Sequence, residues 1–441
     1  MKQIPYYERD VDFEALAKQD ADFAAIAQTA KSRGFIDFRN PKIVQQLAKS
    51  LLNQDFKLSL SLPDDRLCPP IPVRWNYIRW IQDLLDTTDS SYRDTPDPSR
   101  EVVGLDIGIG ASCIYALLAC SKRPEWRMAG TDIDVHSLEC AQQNINVNGL
   151  GERIKLKHMQ VDGPILPLDL LKIEEMDFTM TNPPFYSSQQ DFQASSKHGS
   201  AEDSTAASSV VCTGAENEMI CEGGDVGFVM RILRESLVLR ERVQWYTAML
   251  SKLASLQQVV AALKEHGISN YAVTSLQPGQ RTKRWAVAWS FGDMRPRNDI
   301  SRHGELVQAV LPLPTAQTIS TPMQDTIWAG KKVDETIKGL DVKWQWRSGS
   351  HMGVMEAREN VWSRAARRKK KFQGEKIDDQ GSGESKDEMM VDESEEEEPV
   401  ALAVKITCKN EEVDVRWLRG HDHVVFSSFC GMLKRALTGR V

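Results

Sequence analysis

Short apolar runs alternate with helical patterns of apolar residues between residues 101 and 293. This alternation is typical of an α/β, doubly wound fold whose central sheet is mainly parallel. Asp134 stands at the N-cap position of one predicted helix. The predicted strands are 102–107, 127–132, 153–158, 176–181, 243–250, 271–276 and 284–291. The predicted helices are 112–121, 134–148, 227–242 and 252–266.

Residues 1–95 show a different pattern, which is helical and often interrupted by polar residues. One helix is predicted to begin after Asn40, a suitable N-cap, with Pro41 in its first turn. A second helix is predicted over Ile71–Leu85, where apolar residues recur at helical spacing. We therefore predict a helical N-terminal module over residues 1–95, followed by an α/β domain at 96–293.

The remainder of the chain predicts a linker, residues 294–325, and a small C-terminal α/β domain, residues 326–441. Two strands are predicted on either side of a turn near Lys409–Asn410, and a strand at 342–346 precedes them. An acidic stretch at 374–398 interrupts this domain and is predicted to be disordered. The last predicted helix places five apolar residues on one face: Phe426, Phe429, Cys430, Leu433 and Leu437.

Charge is distributed unevenly along the chain. The net charge is −7, but residues 378–398 alone contain eleven acids and one lysine, so that the other residues carry +3. The mildly basic remainder is compatible with a nucleic-acid partner.

Residues 187–217 have few apolar side chains and many Ser and Ala, and we expect a mobile loop there.

Cysteine usage and hydropathy exclude several classes of protein. The eight cysteines form no C-x-x-C pair and no zinc-finger spacing with histidine. We therefore expect a reducing compartment, no disulfide framework and no metal site. The sequence shows no signal peptide at its N-terminus and no run of 18 apolar residues, so no membrane partner is expected.

The first predicted strand of the α/β domain ends in a D-x-G-x-G motif formed by Asp106, Gly108 and Gly110. Glycines at such a turn allow a ligand to approach the backbone closely, and a helix N-terminus follows. Asp132 ends the next strand, 26 residues later. A doubly wound fold binds ribose hydroxyls at this position, and capping of the strand end is the alternative role.

The segment Asn182-Pro183-Pro184-Phe185 follows the fourth predicted strand. Two adjacent prolines cannot continue a strand, and a rigid loop is the simplest structural interpretation. The same residues suit methyl transfer to a planar, conjugated nitrogen. The side-chain oxygen of Asn182 and the carbonyl of Pro183 can accept both amino hydrogens, which favours a pyramidal nitrogen. Phe185 can stack on a base, an interaction worth about 1–3 kcal/mol.

Five segments of the chain together resemble the methyltransferase-like protein 16 family. The resemblance covers residues 10 to 293 and implies a class I, Rossmann-like methyltransferase fold. Members use S-adenosylmethionine to methylate N6 of adenosine in U6 small nuclear RNA, and a bacterial ribosomal-RNA adenine N6-methyltransferase is a more distant relative. The resemblance implies this cofactor and a structured RNA partner. The segments are LDIGIGASCIYALL, TNPPFYSSQ, PVRWNYIRWIQDLL, CEGGDVGFVMRILRESLVLRERVQWYTAML and GQRTKRWAVAWSF.

The resemblance also implies roles for single residues in cofactor binding. The D-x-G-x-G motif matches the cofactor turn, and Asp132 matches a position where animal members carry Glu. Arg74 matches an arginine that reaches the methionine end of the cofactor, and a surface arginine at a helix start is the alternative. Asp162 lies where the family contacts the adenine ring. Val161-Asp162-Gly163 stands near the place where the family has a lysine-bearing inhibitory loop, and the sequence leaves open whether this chain has such a loop.

Basic residues predict where RNA binds. The resemblance implies an RNA role for Arg281, Lys283 and Arg284, and a solvated charge run is the alternative. In the C-terminal domain the sequence predicts a basic helix that contacts RNA or acts as a nuclear import signal, and we therefore expect a nuclear protein. The basic residues singled out there are Arg367, Arg368, Lys369 and Lys370.

Two further functions are compatible with these residues. A protein glutamine N5-methyltransferase shares Asn-Pro-Pro but commonly has tyrosine next. An RNA-binding splicing scaffold would need the catalytic motif only secondarily. The intact motif with Phe185 and the basic C-terminal stretch favour an RNA adenosine N6-methyltransferase with Asn182, Pro183, Pro184 and Phe185 as its catalytic residues.

Overall fold

The computed structural model of the protein forms two compact units. The first contains residues up to Thr87, Arg93–Gly292 and Asp299–Pro312, and the second contains Thr88–Tyr92, Asp293–Asn298 and the residues from Leu313 onward. The described residues are 4–33, 36, 40–191, 216–279, 283–303, 306–363 and 399–439.

A seven-stranded sheet lies at the centre of the first unit. Its strands are β1 (Val102–Ile107), β2 (Trp126–Asp132), β3 (Ile154–His158), β4 (Met176–Thr181), β5 (Val243–Leu250), β6 (Tyr271–Leu276) and β7 (Arg284–Trp289). Their order is β3-β2-β1-β4-β5-β7-β6. β1 to β5 pair in parallel, and β7 runs antiparallel to both of its neighbours. The predicted α/β fold with a mainly parallel sheet is confirmed.

Helices cover this sheet, and two of them begin at the predicted caps. The Asp134 side chain accepts hydrogen bonds from the N–H groups of His136 and Ser137, and Asn40 accepts one from Lys42. The long helices are α1 (Phe13–Gln19), α2 (Ala21–Arg33), α3 (Pro41–Leu51), α4 (Ile71–Thr87), α5 (Ile114–Lys122), α6 (Val135–Val147), α7 (Gly224–Leu239) and α8 (Leu253–Glu265). Single helical turns occur at Leu168–Leu171, Glu216–Met219 and Asn298–Ser301.

Helix α4 joins the N-terminal helices to the sheet. Nearly all of its residues are buried, and Trp75, Tyr77 and Ile81 share one core with the sheet residues Phe178 and Trp245. A helix whose residues are buried on all sides has neighbours on all sides. The N-terminal helices and the α/β domain therefore form a single unit, and the structure differs here from the separate module that we predicted to end at residue 95.

A five-stranded antiparallel sheet and two long helices make up the second unit. Its strands are β8 (Ala316–Ser320), β9 (Lys343–Arg347), β10 (Met352–Ala357), β11 (Leu402–Cys408) and β12 (Glu412–Arg419), in the order β8-β12-β11-β10-β9. Its helices are α9 (Thr326–Lys338) and α10 (His423–Thr438). β8 lies inside the segment 294–325 that we expected to be a linker. It forms because Ile319 is buried on the core face and the strand pairs with β12.

The strands on either side of the acidic stretch are neighbours. β10 and β11 pair antiparallel from Met352 to Ala357, so residues before and after the stretch share one sheet. Residues 364–398, which hold the acidic stretch and the four basic residues singled out above, lie outside the described residues. Within the described ranges, no helix combines the length and the hydrophobicity needed to cross a membrane.

The face of α10 that was predicted from sequence is the buried one. All five of its apolar residues belong to the core of the second unit. Phe429 is 0% exposed, whereas Val424 on the same helix is 73% exposed. Phe429→Ala should lower the free energy of unfolding by about 3–5 kcal/mol because it leaves a cavity. Val424→Ala should change it by less than about 0.5 kcal/mol. Urea unfolding of both variants checks this, and equal shifts would contradict the core assignment.

Candidate active site

The strand pairing brings the three predicted motifs to one edge of the sheet. Ile107 at the end of β1 pairs with Thr131 of β2 and with Thr181 of β4. Because these strands are parallel, the residues that follow them lie side by side. The strand order reverses between the neighbours β1 and β4, and open α/β sheets bind their ligands at such a switch point. A ligand site is therefore expected at this edge.

The D-x-G-x-G turn leaves its backbone accessible. Gly108 has a φ angle of +71° and Gly110 one of +63°, both in the left-handed region that favours glycine. The N–H groups of Gly108 and Ile109 donate to the carbonyl of Thr131 at 2.9 Å, which fixes the turn against β2. A Cβ atom at Gly108 would have no heavy atom within 4 Å. The turn is thus held from one side and open to a ligand on the other.

Asp106 is a buried carboxylate without a hydrogen-bond donor. It is 1% exposed, and neither of its carboxylate oxygens accepts a hydrogen bond from a described residue. Burial and the neighbouring carboxylate of Asp132 raise the pKa of Asp106 to about 8, against the opposing effect of Arg74. Burying an acceptor without a partner costs free energy. The position therefore fits a ligand that brings donors or positive charge.

Asp132 holds the cofactor turn in place. Its Oδ2 accepts the N–H of Gly110 at 2.9 Å, and its Oδ1 accepts the N–H of Asp134 at 2.9 Å. Burial raises the pKa of Asp132, and these two hydrogen bonds act in the opposite direction. The capping role considered from the sequence is thus part of what Asp132 does. A carboxylate has further acceptor positions, so ribose hydroxyls can bind to the same side chain.

Arg74 is delivered to the site by α4. It is 6% exposed, which excludes the surface position considered as its alternative. Its guanidinium donates to the hydroxyl of Tyr115 at 2.7 Å and lies 5.4 Å from the centre of that ring. Helix α4 is fixed by Asn76, whose side chain both accepts from and donates to the backbone of Tyr7. The arginine is therefore rigidly placed.

The Asn-Pro-Pro-Phe motif leaves β4 at the same edge. The Oδ1 atom of Asn182 is buried and accepts no hydrogen bond from a described residue. Phe185 is half-buried, and the guanidinium carbon of Arg284 lies 5.3 Å from the centre of its ring, a cation–π distance. Burial and the positive charge of Arg74 lower the pKa of Arg284. Arg284 therefore contacts the Asn-Pro-Pro-Phe motif, a position that its grouping with the RNA-binding residues did not predict.

The other predicted site residues are more dispersed. Asp162 is exposed in the turn after β3, and Lys283 is half-buried just before β7. Arg281 lies outside the described residues, as do the basic residues of the C-terminal stretch. In the described part of the chain, no group of three or more His, Cys, Asp or Glu side chains is placed to hold a metal ion.

Two residues at the site were not predicted. Tyr115, the partner of Arg74, belongs to the apolar pattern of α5 and gives no separate signal. Glu218 accepts the N–H of Leu67 at 3.3 Å, and its Oε1 lies 3.7 Å from where a Cβ of Gly110 would be. Because Glu218 follows the variable segment 187–217, no local pattern connects it to the cofactor turn.

The arrangement fits S-adenosylmethionine, the cofactor implied by the resemblance. Gly108 leaves room for close approach, Asp132 can accept ribose hydroxyls, and Arg74 can bind a carboxylate. The unpartnered oxygens of Asp106 suit a ligand that carries positive charge. Asn182 directly follows the neighbouring strand β4, and its Oδ1 accepts no hydrogen bond from a described residue.

The raised pKa of Asp106 makes stability depend on pH. Its pKa is about 8 in the folded protein and near 3.8 in the unfolded chain. Between these pH values the carboxyl group is protonated in the folded state and ionised in the unfolded state. Stability should fall as pH rises from about 4 to about 8, and Asp106→Asn should remove this part of the fall. Thermal unfolding without ligand at about pH 5 and about pH 9 measures it. Asp162→Asn, at an exposed position, is the control. Equal pH dependence in wild type and Asp106→Asn would contradict the raised pKa.

Comparisons with known proteins identify the family of the chain. Residues 3–293 match the model of a family described as RNA methyltransferase. The chain is 35% identical over 415 residues to the U6 small nuclear RNA (adenine-(43)-N(6))-methyltransferase of Schizosaccharomyces pombe, covering 93% of this chain and 97% of that protein. It is 34% identical to the RNA N(6)-adenosine-methyltransferase METTL16 of Homo sapiens, covering 77% of this chain and 59% of that protein. The chain therefore spans well under two thirds of the human relative.

Two solved structures of human METTL16 are similar to the chain. The hMettl16 catalytic domain in complex with MAT2A 3'UTR hairpin 1 is 34% identical, with a TM-score of 0.54, and the match covers 64% of this chain and 91% of that one. The N-terminal domain in complex with SAH is 33% identical, with a TM-score of 0.50, and covers 65% and 97%. The resemblance noted from the sequence is confirmed. The chain belongs to the methyltransferase-like protein 16 family of RNA methyltransferases.

Proposed function

We propose that the protein transfers a methyl group from S-adenosylmethionine to N6 of an adenosine in structured RNA, and that U6 small nuclear RNA is its substrate. The observation that carries the proposal is the unpartnered, buried Oδ1 of Asn182 at the end of β4, three residues before a phenylalanine that can stack on a base. The name of the Schizosaccharomyces pombe relative supports the RNA. The SAH complex of the human domain supports the cofactor, since SAH is what remains after methyl transfer.

The catalytic motif acts by positioning the amino group. The lone pair of N6 is delocalised into the adenine ring, which makes it a poor nucleophile. Asn182 Oδ1 and the Pro183 carbonyl accept its two hydrogens, and this favours a pyramidal nitrogen with a directed lone pair. Pro183 and Pro184 have no N–H to compete for these acceptors and restrict the backbone. Orientation of this kind supplies much of the rate in a two-substrate reaction.

The base is held by stacking, and its proton leaves afterwards. Phe185 stacks on the adenine while Arg284 contacts the phenylalanine ring and restrains it. An adenosine must leave its helical stack to enter such a site, and the stacking interaction offsets part of that cost. After methylation the nitrogen is positively charged and releases a proton to water. No side chain at the motif is required as a base.

The remaining residues of the site bind the cofactor, which supplies an activated methyl group when bound. Asp132 accepts the ribose hydroxyls, Arg74 binds the carboxylate of the methionine part, and Asp106 offers two carboxyl oxygens that accept no hydrogen bond from a described residue. Gly108 and Gly110 allow the close approach. Asp162, which is exposed in the turn after β3, contacts the adenine ring in this proposal.

RNA binding extends beyond the catalytic motif in this proposal. The run that contains Arg281 and Lys283 contacts the RNA backbone, and the second unit with its basic stretch adds affinity. Backbone contacts of this kind release counterions and weaken with salt.

A nuclear location is consistent with U6 RNA as the substrate and with the basic stretch Arg367–Lys371, which has the composition of a nuclear import signal. Phe185 in place of tyrosine, together with the match to an RNA methyltransferase family, favours RNA over protein glutamine as substrate.

One experiment tests the substrate directly. The protein is incubated with labelled S-adenosylmethionine and total nuclear RNA, and the labelled species is sequenced. Labelling of U6 at N6 of an adenosine is the expected result. Label confined to protein, or to RNA species other than U6, would overturn the proposed substrate.

Asn182→Ala should lower the single-turnover methylation rate of a U6-like hairpin by about 100-fold or more, because it removes an acceptor used at the reacting nitrogen. Cofactor and RNA affinity should remain close to those of the wild type. Asn146→Ala, at an exposed position on α6, is the matched control and should keep full activity. A variant that retains most of its single-turnover rate would show that Asn182 is not catalytic.

Asp132→Ala should weaken S-adenosylmethionine binding by about 1.5–3 kcal/mol, the range for hydrogen bonds to a charged group. The loss includes the ribose contact and the support that Asp132 gives to Gly110. Glu139→Ala, an exposed acid on α6, should bind as the wild type does. Calorimetry measures both affinities. Unchanged affinity in folded Asp132→Ala would disprove the assignment.

A further inference from the structure

Residues Met219–Asp225, which we call the brace, pair with the chain directly after the catalytic phenylalanine. The N–H of Tyr186 donates to the carbonyl of Met219, and the N–H of Cys221 donates to the carbonyl of Tyr186, both at 3.0 Å. These bonds form a parallel bridge between Tyr186 and Ile220. The backbone that carries Phe185 is therefore paired with a segment distant in sequence, although it lies beyond the end of β4.

The brace also touches the motif itself. The Cys221 thiol lies 3.8 Å from the carbonyl oxygen of Pro184, 37 residues away in sequence. Gly224 has a φ angle of +61°, and a Cβ atom there would lie 3.1 Å from the carbonyl oxygen of Phe185. A side chain at this position would be strained by the positive φ angle and would require the motif to shift by a few tenths of an ångström.

A buried carboxylate fixes the brace to the sheet. Asp225 is 4% exposed and accepts three hydrogen bonds from the segment after β5. These come from the N–H of Ser251 at 2.8 Å, its hydroxyl at 2.6 Å and the hydroxyl of Ser255 at 2.9 Å. β5 is the neighbour of β4 in the sheet. The brace is thus anchored beside the strand from which the motif emerges.

We propose that the brace is a positioning element for methyl transfer: Gly224 and Asp225 hold the backbone of Pro184 and Phe185 so that the stacking ring and the two acceptors keep their relative placement. The inference rests on the proposed function, and it assigns roles to residues that touch neither substrate nor cofactor. Two prolines limit how the motif can bend, but they leave it without strand hydrogen bonds of its own. The backbone hydrogen bonds between the brace and Tyr186 restrain the motif instead.

Gly224→Ala tests the contact, with two glycine controls of equal backbone strain. Gly149 and Gly267 have φ angles of +67° and +70°, and a Cβ at either would meet no heavy atom within 4 Å. We expect kcat of Gly224→Ala on a U6-like hairpin to fall about tenfold, since small misplacements at a reacting centre are costly. KM and cofactor affinity should stay near the wild-type values. Gly149→Ala and Gly267→Ala should lose thermal stability to a similar extent but keep kcat.

Asp225→Asn provides a second, independent variant in case Gly224→Ala does not fold. It keeps the shape of the side chain and loses part of its acceptor capacity, so kcat should fall while KM is kept. If both variants match the glycine controls in kcat, or if KM rises in step with a falling kcat, the brace is not a positioning element. A wild-type protein that methylates no RNA would instead overturn the proposed function, so the two failures are distinguishable.

Discussion

The pairing of β1 with β2 on one side and β4 on the other is the constraint on which the site depends. It places the cofactor turn, the acidic end of β2 and the Asn-Pro-Pro-Phe motif at one edge, although the three are far apart in sequence. Each segment alone is a common structural feature. The register that aligns Ile107 with Thr131 and Thr181 brings the three segments together. Because all three strands run in the same direction, the segments that follow them emerge at the same edge of the sheet.

The same edge contains buried ionisable side chains, and burying such groups lowers the stability of a fold. Asp106 is buried with no hydrogen-bond donor among the described residues, and Arg74 contacts a tyrosine hydroxyl and a methionine sulfur rather than a carboxylate. Arg284 lies near enough to Arg74 for the pKa of Arg284 to be lowered. Such groups reduce the stability of the ligand-free fold, and a ligand with complementary charge restores it on binding. The proposed cofactor binding and methyl transfer account for their placement, and the core around them provides the stability that tolerates them.

Local patterns in the sequence predicted the sheet, the caps Asp134 and Asn40, and the buried face of α10, because each depends on residues close together in the chain. They did not predict that α4 is buried on all sides, and so they suggested a module boundary that the structure lacks. β8 lies in a segment rich in proline and threonine whose own pattern does not predict a strand. The strand forms by pairing with β12, which is distant in sequence. The Arg284–Phe185 contact and the brace could not be predicted either, because they join segments brought together by the fold, with no periodic pattern to mark them.

The central claim is that Asn182 and Phe185 hold the adenine whose N6 is methylated. A crystal structure of the protein with SAH and an RNA hairpin that carries the target adenosine tests it most directly. The account predicts the adenine stacked on Phe185, with its N6 donating hydrogen bonds to Asn182 Oδ1 and to the Pro183 carbonyl. An adenine bound with N6 directed away from both acceptors, in a complex competent for methylation, would contradict it.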